Sequence, residues 1–395
     1  MGGPGATLWM WITAFLGMML KQVEVTLAVY YRKKDENGDP YGGPTYYMER
    51  GLGEERNFKF WKVPATIFGC GIFSTFFITA SNYTISEVVA STFNMNQVVA
   101  SLIIVICTYL MIWKGMKYLG KILTKLIPFM SISYLVLGLV IIFMNYQNIP
   151  QSFSLIFEGA FSGSAAVGGF IGASISKVIS TGMARSVYSN EAGWGTNPMV
   201  HASSKTRHPV EQGLWGSFEV FVDTFIVCTI TSLVIIITGE WSSGVESATL
   251  TLNAFSLGLG TFGTYFLTIT MLVFGLTTSS GWYVYYEVVL RHLCSKNIKL
   301  KNNVLKIFKY FYPLPGLFMT MYILYVGDIS IWTFVDITSG IPTFINVAVL
   351  LVLSKQYFAL LKDYKARYLG VGKVDDSMKI FYEGIKGGKD EEYIL

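Results

Sequence analysis

The sequence has little charge for its length. Asp, Glu, Lys and Arg make up 14% of its 395 residues, whereas a typical soluble domain carries roughly 25%. Hydrophobic residues make up 52% of the chain, and the mean hydropathy is +0.47. This composition excludes a disordered protein, argues against one large soluble domain, and is typical of a polytopic membrane protein. The net charge of +5 does not indicate a nucleic-acid partner, because the positions of charges matter more than their sum.

The sequence also lacks the motifs of common enzyme and metal sites. Its four cysteines, Cys70, Cys107, Cys228 and Cys294, show no C-x-x-C spacing, and each lies within or at the end of an apolar run. They are therefore predicted to be small buried apolar residues. No H-E-x-x-H, G-x-S-x-G or Walker pattern occurs. We expect a protein that is not an enzyme and that carries no cofactor.

Nine apolar segments are long enough to cross a bilayer, which takes about 20 residues per helix. Each is far longer than a buried strand, and none alternates as a membrane β-strand does, so helices are expected. The predicted limits are 6–30, 64–90, 97–116, 127–145, 154–183, 212–238, 259–290, 310–326 and 329–354.

The basic residues support this division of the chain. The connectors that would share one side, at 91–96, 146–153, 239–258 and 327–328, contain no Lys or Arg. Nearly all of the 30 basic residues fall in the opposite connectors and the C-terminal tail. This distribution predicts a cytoplasmic C-terminus and, for the chain as written, an N-terminus outside. The Gly- and charge-rich segment 368–395 is predicted to be a poorly ordered cytoplasmic tail.

The fifth segment is unusually rich in glycine. It contains Gly159, Gly163, Gly168, Gly169 and Gly172, although each glycine costs a helix interior about 1 kcal/mol relative to Ala. One explanation is close helix packing through two G-x-x-x-G pairs. The other is a discontinuous helix whose free backbone groups bind a small ligand or ion near the midplane. Adjacent glycines and flanking serines favour the second explanation.

Polar residues inside the predicted spans are further candidates. The hydroxyls of Thr277, Thr278, Ser279 and Ser280 suit a dehydrated Na⁺, or alternatively hydrogen-bond to carbonyls of their own helix. Intramembrane polar residues are functional candidates by default, but each of these is equally open to a structural pairing. They are Asn82, Glu87, Glu219, Asp223 and Asp336. Lys21 and Glu24, three residues apart on one helix face, are predicted to pair.

The position of the glycine-rich segment indicates an internal repeat. Transporters built from two inverted repeats place a broken helix at the same point of each half. Here that segment is the fifth of nine. The expected organisation is a transmembrane domain over 1–367, with an incomplete first repeat over about 1–148 and a second repeat over about 149–354. The matching broken helix of the first repeat is then expected to precede Met1.

The chain resembles the alanine or glycine:cation symporter family, the sodium:alanine symporters or amino acid carrier proteins. The similarity covers residue 2 to about 367. The matching stretches are GGPGATLWMWITAFLGMMLKQVEVTLAVYYR, GGPTYYMERGLG, GGFIGAS, SNEAGWGTNPMVHASSKTRHPVEQG, FVDTFIVCTITSLVIIITG and TTSSGWYVYYE. The resemblance implies an all-α membrane protein with a leucine-transporter-like core of five plus five inverted helices (APC superfamily), here without its first helix.

The same resemblance implies a function and a set of site residues. It implies a secondary symporter that couples Na⁺, or H⁺, to the import of alanine, glycine or a similar small neutral amino acid across the plasma membrane. The implied substrate residues are Gly168, Gly169, Phe170, Ser174, Trp282 and Asn82, and the implied sodium residues are Thr277 and Thr278. The loop from Ser189 to Gly193 is expected to have a conformational role. Because the first core helix is missing, the alternative is a truncated, non-transporting or partner-dependent member of the family.

Overall fold

Apolar helices dominate the computed structural model, which describes residues 2–35, 38–77, 81–113, 116–162, 175–245, 247–327 and 331–383. The helices are α1 (Ala6–Tyr30), α2 (Pro44–Tyr47), α3 (Lys62–Phe77), α4 (Ser81–Phe93), α5 (Gln97–Trp113), α6 (Met116–Met144), α7 (Ile149–Ser162), α8 (Ile175–Asn190), α9 (Asn197–His201), α10 (Pro209–Val220), α11 (Thr229–Ile237), α12 (Ser247–Leu293), α13 (Ile298–Phe311), α14 (Leu314–Val326) and α15 (Ile331–Leu369). Two π-helical segments, Met48–Glu54 and Phe221–Cys228, continue α2 and α10. A short antiparallel ribbon pairs β1 (Lys33–Lys34) with β2 (Pro40–Tyr41).

Six helical stretches among the described residues are long and apolar enough to cross a membrane. They are Ala6–Tyr30, Lys62–Phe93, Thr124–Met144, Pro209–Ile237, Ala248–Leu293 and Thr333–Leu369. The predicted third and eighth crossings correspond to the shorter helices α5 and α14, and the predicted fifth crossing includes parts of α7 and α8. The protein is thus a mostly helical membrane protein, and the count of nine crossings remains a prediction.

The longest helix changes direction at one glycine. Within α12, Gly260 has φ 63° and ψ −151°, a conformation that costs a glycine little but strains other residues. The helix therefore bends there and begins well before the predicted residue 259.

Glycines allow several helices to approach closely. A Cβ added at Gly213 of α10 would lie 2.2 Å from Thr26 Oγ1 of α1, and one at Gly5 would lie 2.2 Å from the backbone of Gly159. Small residues at such crossings let the helix backbones approach. At Gly159 the packing explanation of the glycine-rich segment therefore holds. Gly163, Gly168, Gly169 and Gly172 lie outside the described residues.

The prediction that the cysteines are buried is wrong. Cys70 is exposed, and Cys107, Cys228 and Cys294 are half-buried. In a bilayer the surroundings of the bundle are as apolar as its interior, so an apolar run does not tell a core position from a lipid-facing one.

Part of the C-terminal tail, at residues 380–382, packs against the bundle. Ile380 and Phe381 are buried together with Val25 and Val29 of α1. The Tyr382 N–H donates a hydrogen bond to the Tyr30 carbonyl at 3.0 Å. This segment, which the sequence places in the predicted tail, is held to the end of α1 by both apolar and polar contacts.

Candidate functional site

A cavity of about 400 Å³ lies among the helices. Residues of α3, α4, α5, α8, α12, α14 and α15 line it, together with the connectors after α8 and α13. The lining residues are Thr75, Phe76, Ser81, Asn82, Thr108, Tyr188, Ser189, Glu191, Trp194, Thr278, Ser279, Trp282, Tyr286, Tyr312, Pro313, Gly316, Val335 and Thr338. Hydroxyl groups and aromatic rings dominate this wall, which suits a small ligand with both polar and apolar parts.

Asn82 is fixed at the edge of this cavity by two neighbouring helices. The Ser101 hydroxyl of α5 donates a hydrogen bond to Asn82 Oδ1 at 2.7 Å. On the α14 side, a Cβ added at Gly316 would lie 2.9 Å from Asn82 Cβ, so glycine allows the close approach. This predicted substrate residue is therefore buried and held in one orientation at the cavity wall.

Trp282 belongs to an aromatic group at the cavity. Its ring lies 5.2 Å from that of Trp194, 5.3 Å from that of Tyr285 and 5.7 Å from that of Tyr286, between ring centroids. Such edge-to-face and tilted contacts stabilise aromatic pairs. The predicted pocket tryptophan is thus held by neighbouring rings and faces the cavity.

The two predicted sodium residues differ in their surroundings. Thr278 lines the cavity, whereas Thr277 is buried and its hydroxyl donates to the Phe274 carbonyl of its own helix at 2.8 Å. Thr277 therefore makes the local bond that the alternative explanation requires. The remaining predicted substrate residues, Gly168, Gly169, Phe170 and Ser174, lie outside the described residues.

Two of the acidic candidates, Asp336 and Glu219, have partners on other segments. Asp336 of α15 forms an ion pair with Arg185 of α8. Glu219 accepts a hydrogen bond from Asn197 Nδ2 at 2.8 Å. These contacts fit the structural alternative.

The same holds for Asp223, whose carboxylate accepts a hydrogen bond from the Ser189 hydroxyl at 2.8 Å. Glu87 lies half-buried on α4. Neither residue lines the cavity.

A buried polar network holds the loop from Ser189 to Gly193. Lys21 Nζ lies 3.6 Å from Glu24 Oε1, with both side chains fully buried, which confirms the predicted pairing. Glu24 accepts hydrogen bonds from the Gly193 N–H at 3.2 Å and from Asn346 Nδ2 at 3.0 Å. Asn346 also donates to the Gly193 carbonyl at 2.9 Å. The loop is thus tied to α1 and α15.

Glu191, in the same loop, is the site residue that sequence reasoning missed. It lines the cavity, and its carboxylate accepts a hydrogen bond from Thr196. Burial raises the pKa of Glu191 to about 7, against the opposing effects of Lys21 and Thr196. The loop was expected to act in conformational change, and no spacing rule places a connector residue in a cavity. The signal in the sequence is a carboxylate two and four residues before the glycines Gly193 and Gly195. In the structure these glycines have φ values of +81° and +85°.

Apolar helices long enough to span a bilayer, packed around a partly polar cavity, are typical of membrane transport proteins. The sequence profile of the sodium:alanine symporter family matches residues 1–375, and the chain belongs to this family. It is 37% identical to an uncharacterized transporter of Haemophilus influenzae over 379 residues, in an alignment that covers 93% of this chain and 78% of the relative. It is 38% identical to the sodium/alanine symporter AgcS of Methanococcus maripaludis over 307 residues, in an alignment that covers 76% of this chain and 66% of the relative.

A solved transporter shares the fold. The crystal structure of a mutant manganese transporter from Eremococcus coleocola superimposes with a TM-score of 0.52 over 94% of this chain and 75% of that protein. The sequence identity is 12%, so this likeness concerns the fold alone.

Proposed function

We propose that this protein is a secondary symporter that couples inward movement of Na⁺ to the import of alanine, glycine or a similarly small neutral amino acid across the plasma membrane. The cavity carries this proposal: about 400 Å³ lies near the lower end of the ~300–1,000 Å³ range of ligand pockets. Membership of the sodium:alanine symporter family, and a relative named a sodium/alanine symporter, support the ion and the substrate class.

The proposed architecture is a leucine-transporter-like core. Its first repeat would lie within about 1–148 and its second within about 149–354, inside a transmembrane domain over 1–367. The one-sided distribution of Lys and Arg supports a cytoplasmic C-terminus and an outside N-terminus for the chain as written. In this arrangement the glycine-rich segment would occupy the position of the broken helix of the second repeat.

The proposed substrate site lies at the cavity. Asn82 and Trp282 would contact the amino acid from α4 and α12, and the backbone at Gly168 and Gly169, with Phe170 and Ser174, would complete the pocket. Asn82 offers an amide, and the aromatic group around Trp282 offers an apolar wall for a short side chain. The shared cavity of Asn82, Trp282 and Thr278 supports this grouping.

The proposed sodium site includes the hydroxyls of Thr277 and Thr278. Coupling then follows from linkage. Na⁺ and the amino acid must both bind the same conformation of the protein more tightly than its alternative conformation, and binding of either one then raises the affinity for the other. H⁺ is the alternative coupling ion.

The test is uptake of radiolabelled alanine by proteoliposomes that contain the purified protein. We expect accumulation when Na⁺ is high outside and absent inside, and only background uptake with choline in place of Na⁺. A pH gradient imposed without Na⁺ tests H⁺ as the coupling ion, and unlabelled glycine added in excess tests the substrate class. Equal uptake with and without Na⁺ would refute sodium coupling, and uptake no greater than in empty liposomes would refute transport of alanine.

A further inference from the structure

We propose that Glu191 is a proton-binding site of the cavity, which takes up a proton when the cavity closes and releases it when the cavity reopens to water. The proton comes from cavity water, forms an O–H bond on the carboxylate, and returns to water on reopening. This inference rests on the proposed transport function and adds a proton to its cycle.

Glu191 lies at the wall of the cavity. Among the described residues that line the cavity, Glu191 is the one acidic side chain. Its carboxylate accepts a hydrogen bond from Thr196 and interacts with the Tyr285 hydroxyl. A carboxylate at the wall of an open cavity is solvated by water. Closure removes that water, and protonation then avoids the cost of a dehydrated charge.

Several charged groups lie around Glu191. The titratable and charged groups that act on it are Lys21 and Glu24 of α1, Glu219 and Asp223 of α10 and its π-helical extension, Tyr188 of α8, and Tyr285 and Tyr286 of α12. Three further carboxylates therefore share this region with one ammonium group. Negative charges close to a carboxyl group favour its protonated form.

Lys21 supplies an independent observation. Its side chain is fully buried, and its Nζ has no hydrogen-bond partner among the described residues; the nearest carboxylate in an ion pair is Glu24 at 3.6 Å. The ammonium thus acts through its charge rather than through a fitted hydrogen bond. It compensates the carboxylates in part, and Glu191 is the one of them that reaches the cavity.

The titration range agrees with this placement. Burial raises the pKa of Glu191 to about 7, while Lys21 and the Thr196 hydroxyl oppose a further rise. Glu191 is accordingly neutral at pH values below this range and charged above it, so small changes in cavity hydration change its protonation.

Infrared difference spectroscopy tests the site without requiring transport. We would compare pH 6 with pH 8 in the full chain reconstituted in liposomes, and follow the C=O stretch of a protonated carboxylic acid. The wild type should show this band, and in Glu191→Gln the part of the band that titrates near neutral pH should be smaller. Glu191→Asp should keep a titrating component. Glu158→Gln, which changes an exposed carboxylate of α7, is the matched control and should resemble the wild type.

Two results would overturn the proposal: a wild type without a titrating acid band between pH 6 and pH 8, or an unchanged band in Glu191→Gln. Lys21→Met adds a second readout, because loss of the ammonium should move the titration midpoint of Glu191 to higher pH. A midpoint unchanged in a folded Lys21→Met protein would contradict the role assigned to Lys21.

Alanine exchange across the same liposomes, measured without gradients, separates the two proposals. If exchange requires protonated Glu191, the wild-type rate should fall about tenfold from pH 6 to pH 8, the change in protonated fraction for a group that titrates at pH 7. Glu191→Gln should exchange at a rate independent of pH. A titrating band without alanine exchange at any pH would refute the transport function and leave the proton site intact.

Discussion

Asn346 of α15 donates a hydrogen bond to Glu24 of α1, with Nδ2 and Oε2 3.0 Å apart. Both side chains are fully buried. Asn346 also donates to the Gly193 carbonyl and accepts a hydrogen bond from the Tyr47 hydroxyl. One amide therefore joins two long helices, the loop after α8 and the short helix α2.

Replacing Asn346 by Ala should destabilise the fold. The change leaves the Glu24 carboxylate and the Tyr47 hydroxyl short of a partner in a buried region, where each unsatisfied polar group costs about 1–3 kcal/mol. The measurement is the thermal unfolding midpoint of the purified protein in detergent. Asn302→Ala, at an exposed position on α13, serves as the control. Its free energy of unfolding should stay within about 0.5 kcal/mol of the wild-type value. Equal midpoints for the two variants would show that the Asn346 network contributes nothing.

Replacing Trp282 by Ala should weaken substrate binding. The variant loses the ring that faces the cavity and its contacts with Trp194, Tyr285 and Tyr286. An apolar pocket contact is worth about 1–3 kcal/mol, so the KM for alanine uptake should rise by roughly tenfold or more, and Trp282→Phe should lose less. The control is Trp215→Ala, which removes an exposed tryptophan of α10. An unchanged KM in Trp282→Ala would remove this residue from the proposed site.

Valine substitutions should separate the two proposed sodium residues. Thr278 faces the cavity, whereas the Thr277 hydroxyl already donates to Phe274. Thr278→Val removes a hydroxyl ligand and should raise the half-saturating Na⁺ concentration about tenfold, which corresponds to about 1.4 kcal/mol of binding free energy. Thr277→Val should raise it less. The measurement is alanine uptake as a function of external Na⁺. The reverse order would place the ion nearer Thr277.

Glu49 should make stability depend on acid pH. Burial alone would raise the pKa of Glu49, but hydrogen bonds to His292 and Lys33 outweigh it and lower the pKa to about 2. A depressed carboxyl pKa adds stability above the unfolded-state value near 4.5, and that stability is lost as the pH falls from there towards 2. The unfolding midpoint of the wild type should therefore fall more steeply between pH 5 and pH 3 than that of Glu49→Gln. Parallel curves would contradict this.

Hydropathy predicted much of the helical fold, because a membrane imposes the length of an apolar span directly on the sequence. The apolar stretches 6–30 and 127–145 coincide closely with helices that are long and apolar enough to cross a membrane. The ends of α12 and α15 were missed, because these helices continue beyond their apolar parts. Exposure of Cys70 was missed because lipid and core favour the same residue types.

The candidate site was predictable only in part. Asn82 and Trp282 stood out as a polar and an aromatic residue within apolar segments. Glu191 did not, because it comes from a connector and its neighbourhood is assembled from α1, α10 and α12. The charge balance around Lys21 depends on residues nearly two hundred positions apart, and no local pattern carries that information.

The contacts of residues 380–383 have a practical consequence for handling the protein. Ile380 and Phe381 cover Val25 and Val29, and Glu383 pairs with Arg50. Removing the chain from residue 376 onwards would expose the apolar side chains of Val25 and Val29 on α1 and should promote aggregation during purification. A truncated variant intended for purification should therefore keep residues 376–383.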